Sequence, residues 1–95
     1  MSFHTTGHFL YDLIIRIAGE EHKDYATILI GWKEIVGKAV AEKAKPVKFE
    51  NSILKVAVSN NIWMQELILY KHKIRAQYRK NFKIDIQDII FFVNT

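Results

Sequence analysis

The 95-residue sequence has no cysteine, which excludes a disulfide framework and any cysteine-based zinc site. It has one proline, and it lacks repeats, linkers and low-complexity tracts. No apolar run is long enough to span a bilayer, and the N-terminal residues lack the basic region and apolar core of a signal peptide. These absences predict a soluble, cytoplasmic protein in a reducing compartment.

Hydrophobic residues make up 49% of the chain and aromatic residues 13%, which is enough for one modest core. We therefore expect a single domain over residues 1–95, with residues 1–6 frayed. The net charge of +4 is uneven, because residues 1–50 are neutral and residues 51–95 carry seven basic and three acidic side chains. Such asymmetry is typical of proteins that bind an anionic partner, nucleic acid above all. A solvated helix face is the alternative interpretation.

Two amphipathic helices are predicted in the first half. Leucine and isoleucine recur at helical spacing from about Gly7 to Ala18, and Gly19 is placed to end that helix. A second apolar stripe contains Gly31, which suggests two helices meeting there, while Gly37 is expected to allow close approach of another backbone. The members of the second stripe are Ile28, Trp32, Ile35, Val36 and Ala39.

A hairpin is predicted after Pro46, where helical structure must stop and the apolar period changes to two. A turn at Asn51-Ser52 places Lys48 opposite Lys55 on the polar face. We interpret these lysines as aids to solubility or edge protection and keep them as secondary nucleic-acid candidates. The residues expected on the apolar face are Val47, Phe49, Leu54, Val56 and Val58.

A long helix is predicted next, with Asn60 as its N-cap. Its buried stripe is expected to consist of Trp63, Leu67, Tyr70, Ile74 and Tyr78. No acid occurs between Leu67 and Lys83, and basic residues at i, i+4 and i+8 align along one flank. We predict that this helix binds nucleic acid through Lys71, Lys73, Arg75, Arg79, Lys80 and Lys83.

Residues 83–93 are predicted to form the last strand, with a bulge near Gln87-Asp88 where the alternation slips. Ile90 and Phe92 make the strand apolar on both faces and are candidate partner-binding residues. The order is then helix, helix, strand, strand, helix, strand. We expect an α+β two-layer domain with helices on one face of a small three-stranded mixed sheet.

Four motifs of the chain resemble those of the DciA family, and the resemblance covers roughly residues 8–93. The patterns that carry the resemblance are Trp32-x-x-Ile35-Val36-Gly37, Ala44-x-Pro46, Asn51-x-x-Leu54-x-Val56-x-Val58 and Trp63-x-Gln65-Glu66-Leu67. The resemblance implies a KH-like domain that recruits or loads the bacterial replicative helicase without ATP hydrolysis and binds DNA, with RNA possible. Asn51 replaces the usual turn glycine, the Gly-x-x-Gly loop of KH domains is missing, and the chain ends without the family's flexible tail.

No catalytic or cofactor-binding set is recognisable. His4 and His8 have ligand-like spacing but no second pair, and no Gly-Lys-Ser/Thr phosphate loop is present. Trp32 and Trp63 lie in apolar stripes, so we interpret them as core residues rather than base-stacking residues. The sequence therefore predicts neither an enzyme nor a metal or cofactor site. The alternative to a helicase adaptor is a protein-interaction module, such as a homodimer, without significant nucleic-acid binding.

Overall fold

The structure, a computed structural model, describes residues 23–94. Its elements confirm the α+β class and a three-stranded mixed sheet in the order β1-β2-β3, with β1 and β2 antiparallel and β2 and β3 parallel. The predicted helix from Gly7 to Ala18 and the frayed residues 1–6 lie outside the described residues. The elements are α1 (Lys23–Val36), α2 (Lys38–Lys43), β1 (Ala44–Glu50), β2 (Ile53–Val58), α3 (Asn61–Leu69), α4 (Lys71–Phe82) and β3 (Asp88–Val93).

The two glycines of the second predicted helix behave differently from the prediction: the helix junction is at Gly37, and the close approach is at Gly31. Helix α1 runs through Gly31, where a Cβ atom would lie 2.5 Å from Cζ of Phe82, so close packing of this ring selects glycine. Gly37 instead has a φ of 91°, and no atom lies within 4 Å of its hypothetical Cβ. The predictions for both glycines were therefore wrong. The helical stripe is interrupted at Gly37 because only glycine adopts this backbone angle easily.

The hairpin register is confirmed by the pairs Phe49 with Leu54 and Lys48 with Lys55. Asn51 and Ser52 both have positive φ, as a two-residue type I′ turn requires. The prediction that Val47 lies on the apolar face was wrong, because the register shifts between Pro46 and Lys48 and Val47 is 45% exposed. Pro46 takes the buried position, because one extra residue in a strand reverses the side-chain alternation that follows it.

The single long helix of the prediction is two helices that meet at Tyr70. The Asn60 cap is confirmed, because its Oδ1 accepts a 3.0 Å hydrogen bond from the Trp63 backbone N–H. Tyr70 has φ −99° and ψ 6°, lies outside both helices and is 49% exposed, so it does not belong to the buried stripe. Leu67, Ile74 and Tyr78 are buried as expected.

Residues 83–87 are not part of the last strand, which begins at Asp88. Lys83 ends α4 in the left-handed conformation, and Gln87 N–H then donates to the Ser52 carbonyl oxygen at 2.8 Å. Ile84 and Ile86 are buried along this connecting segment. The slip in alternation therefore marks the join between an extended segment and a strand, and the predicted bulge near Gln87-Asp88 was wrong.

The helices cover one sheet face, and the polar tips of the two most deeply placed aromatic residues are satisfied there. Trp32 Nε1–H donates to the Ala44 carbonyl oxygen at 2.8 Å, which ties α1 to β1. The Tyr78 hydroxyl donates to the Ile28 carbonyl oxygen at 2.7 Å, which ties α4 to α1. Burial raises the pKa of Tyr78 well above its ordinary value, so this hydroxyl remains a donor. No helix within residues 23–94 packs on the other face of the sheet, where Lys45, Lys48, Lys55, Ile90 and Phe92 are exposed.

Candidate nucleic-acid interface

We call Lys71, Arg75 and Arg79 of α4 the basic ridge. The structure turns this ridge toward the segment that follows the helix. Lys71 Nζ lies 3.0 Å from Asp88 Oδ1, and a guanidinium nitrogen of Arg79 lies 3.6 Å from Asp85 Oδ1. Between them, Arg75 Nε–H donates to the Ile86 carbonyl oxygen at 2.6 Å. All three cations therefore have partners within the domain.

Asp88 shows the electrostatic effect of this pairing. The hydrogen bond from Lys71 lowers the pKa of the Asp88 carboxyl, and the Ile89 backbone N–H, which donates to the same oxygen at 2.8 Å, adds to the effect. The ionised carboxylate also caps the entry of β3. The contribution to stability is modest, because the side chains of Lys71 and Asp88 are 31% and 50% exposed to water.

Sequence reasoning missed this pairing because it counted acids only within the helix. Both acids come after it: Asp85 lies between the buried Ile84 and Ile86, and Asp88 directly precedes the buried Ile89. Acids placed between buried residues of a segment that returns along a basic helix are a usable signal. The signal can be used only when it is known that the chain reverses direction at Lys83 and runs back along the helix.

The remaining predicted cations of the helix are free of ion pairs in the described part of the chain. Lys73, Lys80 and Lys83 are exposed. Lys73 and Lys80 are seven residues apart, close to two helical turns, and so share one side of α4. That side lies about 200° around the helix from Arg75. The six predicted residues therefore form two groups, one paired and one open to solvent.

Beside Lys73 lies an apolar groove of about 310 Å³ where α1, α2, α3 and α4 meet. Lys73 is the only charged residue among the described residues that line it, and Tyr70, which lies outside both helices, is exposed there. The lining consists of Ile35, Val36, Val40, Leu67, Tyr70, Lys73, Ile74 and Gln77. This groove could not be predicted from the sequence, because its walls come from four separate elements.

The uncovered sheet face holds the remaining candidates. Lys48 and Lys55 are cross-strand neighbours there, and Lys55 also pairs in register with Ile90 of β3. Ile90 is 45% exposed and Phe92 is 38% exposed. The structure thus brings the secondary nucleic-acid candidates and the partner-binding candidates together on one surface. It keeps them apart from α4, which packs on the opposite face.

The two tryptophans differ in burial. Trp32 is buried, whereas Trp63 is half-buried and packs against the core from the first turn of α3. Among residues 23–94 no group of three histidine, cysteine or acidic side chains could hold a metal ion, and His4 and His8 lie outside this range. Within the same range, no helix has the length and apolar character needed to cross a membrane.

The comparison with known families decides the assignment. The model of the family described as "Dna[CI] antecedent, DciA" matches residues 5–91. The chain belongs to the DciA family. Membership gives it a helicase-loader or adaptor role in DNA replication. No curated protein matches the sequence significantly.

The DciA motifs have structural reasons in this fold. Trp32 of the first motif donates to the Ala44 carbonyl oxygen, Gly37 of that motif has the positive φ between α1 and α2, and Asn51 adopts a positive φ in the hairpin turn. The second tryptophan follows the Asn60 cap. These family positions therefore shape the fold, and the candidate binding residues lie elsewhere.

Proposed function

We propose that this DciA-family chain is a cytoplasmic, non-enzymatic adaptor that recruits or loads the replicative DNA helicase without hydrolysing ATP. It uses a KH-like domain and binds DNA through exposed cations of α4. Its partners are the helicase and single- or double-stranded DNA. Family membership supports the helicase role. The binding role is supported by Lys73, Lys80 and Lys83, which are exposed and form no ion pair within residues 23–94.

The paired and unpaired cations have different roles in this proposal. Lys73 and Lys80 stand about 10 Å apart along the helix axis, so they reach separate phosphates of one strand without reading bases. This contact is extended by Lys83 at the C-terminal end of α4. It is also extended by Arg79, whose side chain is largely exposed although it pairs with Asp85. Lys71 and Arg75 act by holding the following segment in place. Binding is then weak, indifferent to sequence and steeply dependent on salt.

The DNA-binding part is tested by fluorescence anisotropy with labelled single-stranded and duplex DNA over a series of salt concentrations. Lys73→Glu with Lys80→Glu should weaken binding to duplex DNA at least tenfold and flatten the salt dependence. Lys23→Glu with Lys43→Glu is the matched control, because it makes the same charge change at exposed lysines of α1 and α2. Equal losses in both variants would show that only net charge matters and would contradict a site on α4.

The helicase part is tested separately with the purified replicative helicase of the same organism. The chain should co-elute with the helicase in gel filtration and increase its loading onto closed circular single-stranded DNA. The chain alone should hydrolyse no ATP. A chain that binds neither helicase nor DNA but sediments as a dimer would favour the alternative, a protein-interaction module that uses Ile90 and Phe92.

A further inference from the structure

The uncovered face of the sheet, which we call the open face, is a regular array fixed by the strand register. One row across the three strands is Lys48, Lys55 and Ile90, and the next row is Lys45, Ala57 and Phe92. Neighbouring strands are about 4.8 Å apart. The open face therefore has lysines along β1 and β2 and apolar side chains along β3, and the register shift at the exposed Val47 lies between its two rows on β1.

The position of Lys55 excludes the usual explanation of lysines on strands. Lys55 lies on β2, the central strand, where there is no edge to protect. It stands directly opposite Lys48, and like charges at paired positions are destabilising. Lys48 has one acid nearby, Glu50 at 3.2 Å, while Lys45 and Lys55 form no ion pair within residues 23–94. An anionic ligand would offset this repulsion.

Phe92 supplies the second half of a binding surface. Phe92 is 38% exposed at the end of a row that begins with Lys45, and only the small Ala57 side chain lies between the two. Exposed aromatic rings on a sheet are sequence-tolerant platforms for unstacked bases, and adjacent lysines neutralise the backbone of the same strand. The open face has both an aromatic ring, on β3, and lysines, on β1 and β2. Lys45 and Phe92 are two strand spacings apart.

We propose that the open face binds single-stranded DNA, with a base stacked on Phe92 beside Ile90 and with phosphates held by Lys45, Lys48 and Lys55. The identity of the ligand rests on the proposed function, since the DciA role lies in DNA replication. Duplex DNA does not fit this face in the same way, because its bases are already stacked within the helix. The open face thus selects single strands, whereas the α4 lysines contact phosphates of either form.

A second copy of the chain fits the open face less well. Two such faces packed together would bring six lysines into one interface. Among residues 23–94, the acids that the register places on each face are Glu50, which pairs with Lys48, and Asp88, which already pairs with Lys71. Buried charges need partners, and this arrangement lacks them. The phosphates of a nucleic-acid strand supply these partners. Homodimerisation is therefore an outcome of the test rather than the proposal.

The test measures affinity of the full chain for a labelled thymidine 20-mer and for a blunt duplex. Phe92→Leu keeps an apolar strand residue and should weaken binding to the 20-mer about fivefold to a hundredfold, with duplex binding changed less than twofold. Phe92→Tyr retains the ring and should restore affinity. Lys55→Gln should lower the salt slope for the single strand by about 0.7, the value of one phosphate contact.

Four outcomes overturn the inference, and they separate it from the proposed function. Single-strand affinity unchanged in Phe92→Leu, with losses in the α4 variant, would sink this inference alone. A wild-type chain that binds no nucleic acid would sink it together with the DNA-binding part of the proposed function. A uridine 20-mer bound more than tenfold tighter than the thymidine 20-mer would refute the DNA assignment. A wild-type dimer dissociated by Phe92→Leu would make the face a homodimer interface.

Discussion

The basic ridge of α4 and the open face of the sheet contain the same number of cations in different electrostatic surroundings. On the ridge, Asp85, Asp88 and a carbonyl oxygen stand against the three positive groups. On the open face, one acid stands beside three lysines, and two of these have no ion pair in the described part of the chain. The ridge was the denser charge in sequence, yet the open face and the groove side of α4 leave more charge available to a ligand.

This difference has a physical cause. A cation near a carboxylate must give up that contact before it neutralises a phosphate, so its gain on binding is smaller. A cation that lies opposite another cation gains more electrostatic free energy on binding, because the phosphate attracts it and also offsets the repulsion between the two cations. The density of charge along a helix therefore says less about binding than the charges brought near it by other elements.

The largest expected effect is on stability, and it appears when an aromatic residue at the core is substituted rather than one on the open face. Trp63→Ala should lower the free energy of unfolding by about 2–3 kcal/mol, less than the about 3–5 kcal/mol of a fully buried tryptophan because the ring is half-buried. Phe92→Leu on the open face should change stability by less than about 0.5 kcal/mol. Urea unfolding measures both. A Trp63→Ala protein that unfolds like wild type but loses its partner would reverse this assignment.

Arg75 and Lys73 provide the sharpest contrast within one helix. Arg75→Met removes the bond to the Ile86 carbonyl oxygen in a half-buried position and should cost about 1–2 kcal/mol. Lys73→Met should cost almost nothing, because Lys73 has no ion pair in the described part of the chain. Thermal unfolding should separate the variants by roughly 4–16 °C. Equal melting temperatures would mean that the ridge does not hold the segment after α4.

Relief of repulsion on the open face should give a smaller change of opposite sign. Lys55→Gln should raise stability by about 0.2–0.5 kcal/mol at low salt, since it removes a like-charge pair across the strands. High salt should remove the gain, because exposed charges are then screened. A loss of stability at low salt would show that Lys55 contributes to the fold and would weaken the case for an anion site.

The smallest expected effect concerns the pH dependence of the Lys71–Asp88 pair. The folded pKa of Asp88 is lowered, so its stabilising contribution is present above its ordinary value of 3.8 and is lost as pH falls through the lower folded value. The stability difference between wild type and Asp88→Asn should therefore shrink between pH 5 and about pH 2. Addition of Lys71→Met to both proteins should reduce this pH dependence without abolishing it, because the Ile89 N–H still donates to the carboxylate. An unchanged pH dependence would mean that Lys71 is not the main cause.

Local features of the fold were predictable because their causes lie within a few residues. Asn60 caps α3 through its own side chain, and Asn51-Ser52 turns the hairpin with positive φ at both positions. The pairing of Lys48 with Lys55 followed from the turn and the alternation. The exposed Val47 and Tyr70 were not predictable, since a bulge and a helix break are set by what packs against them.

The candidate site divides in the same way. The sequence by itself determined which residues are cationic, that α4 is rich in them, and that the family motifs are present. Only the tertiary structure decided which cations are neutralised, because Asp85 and Asp88 approach the ridge through the return of the chain after Lys83. It also placed β3 parallel to β2 and so brought Phe92 into the row that begins with Lys45. Electrostatic pairing and strand neighbours depend on distance in space, which spacing along the chain does not give.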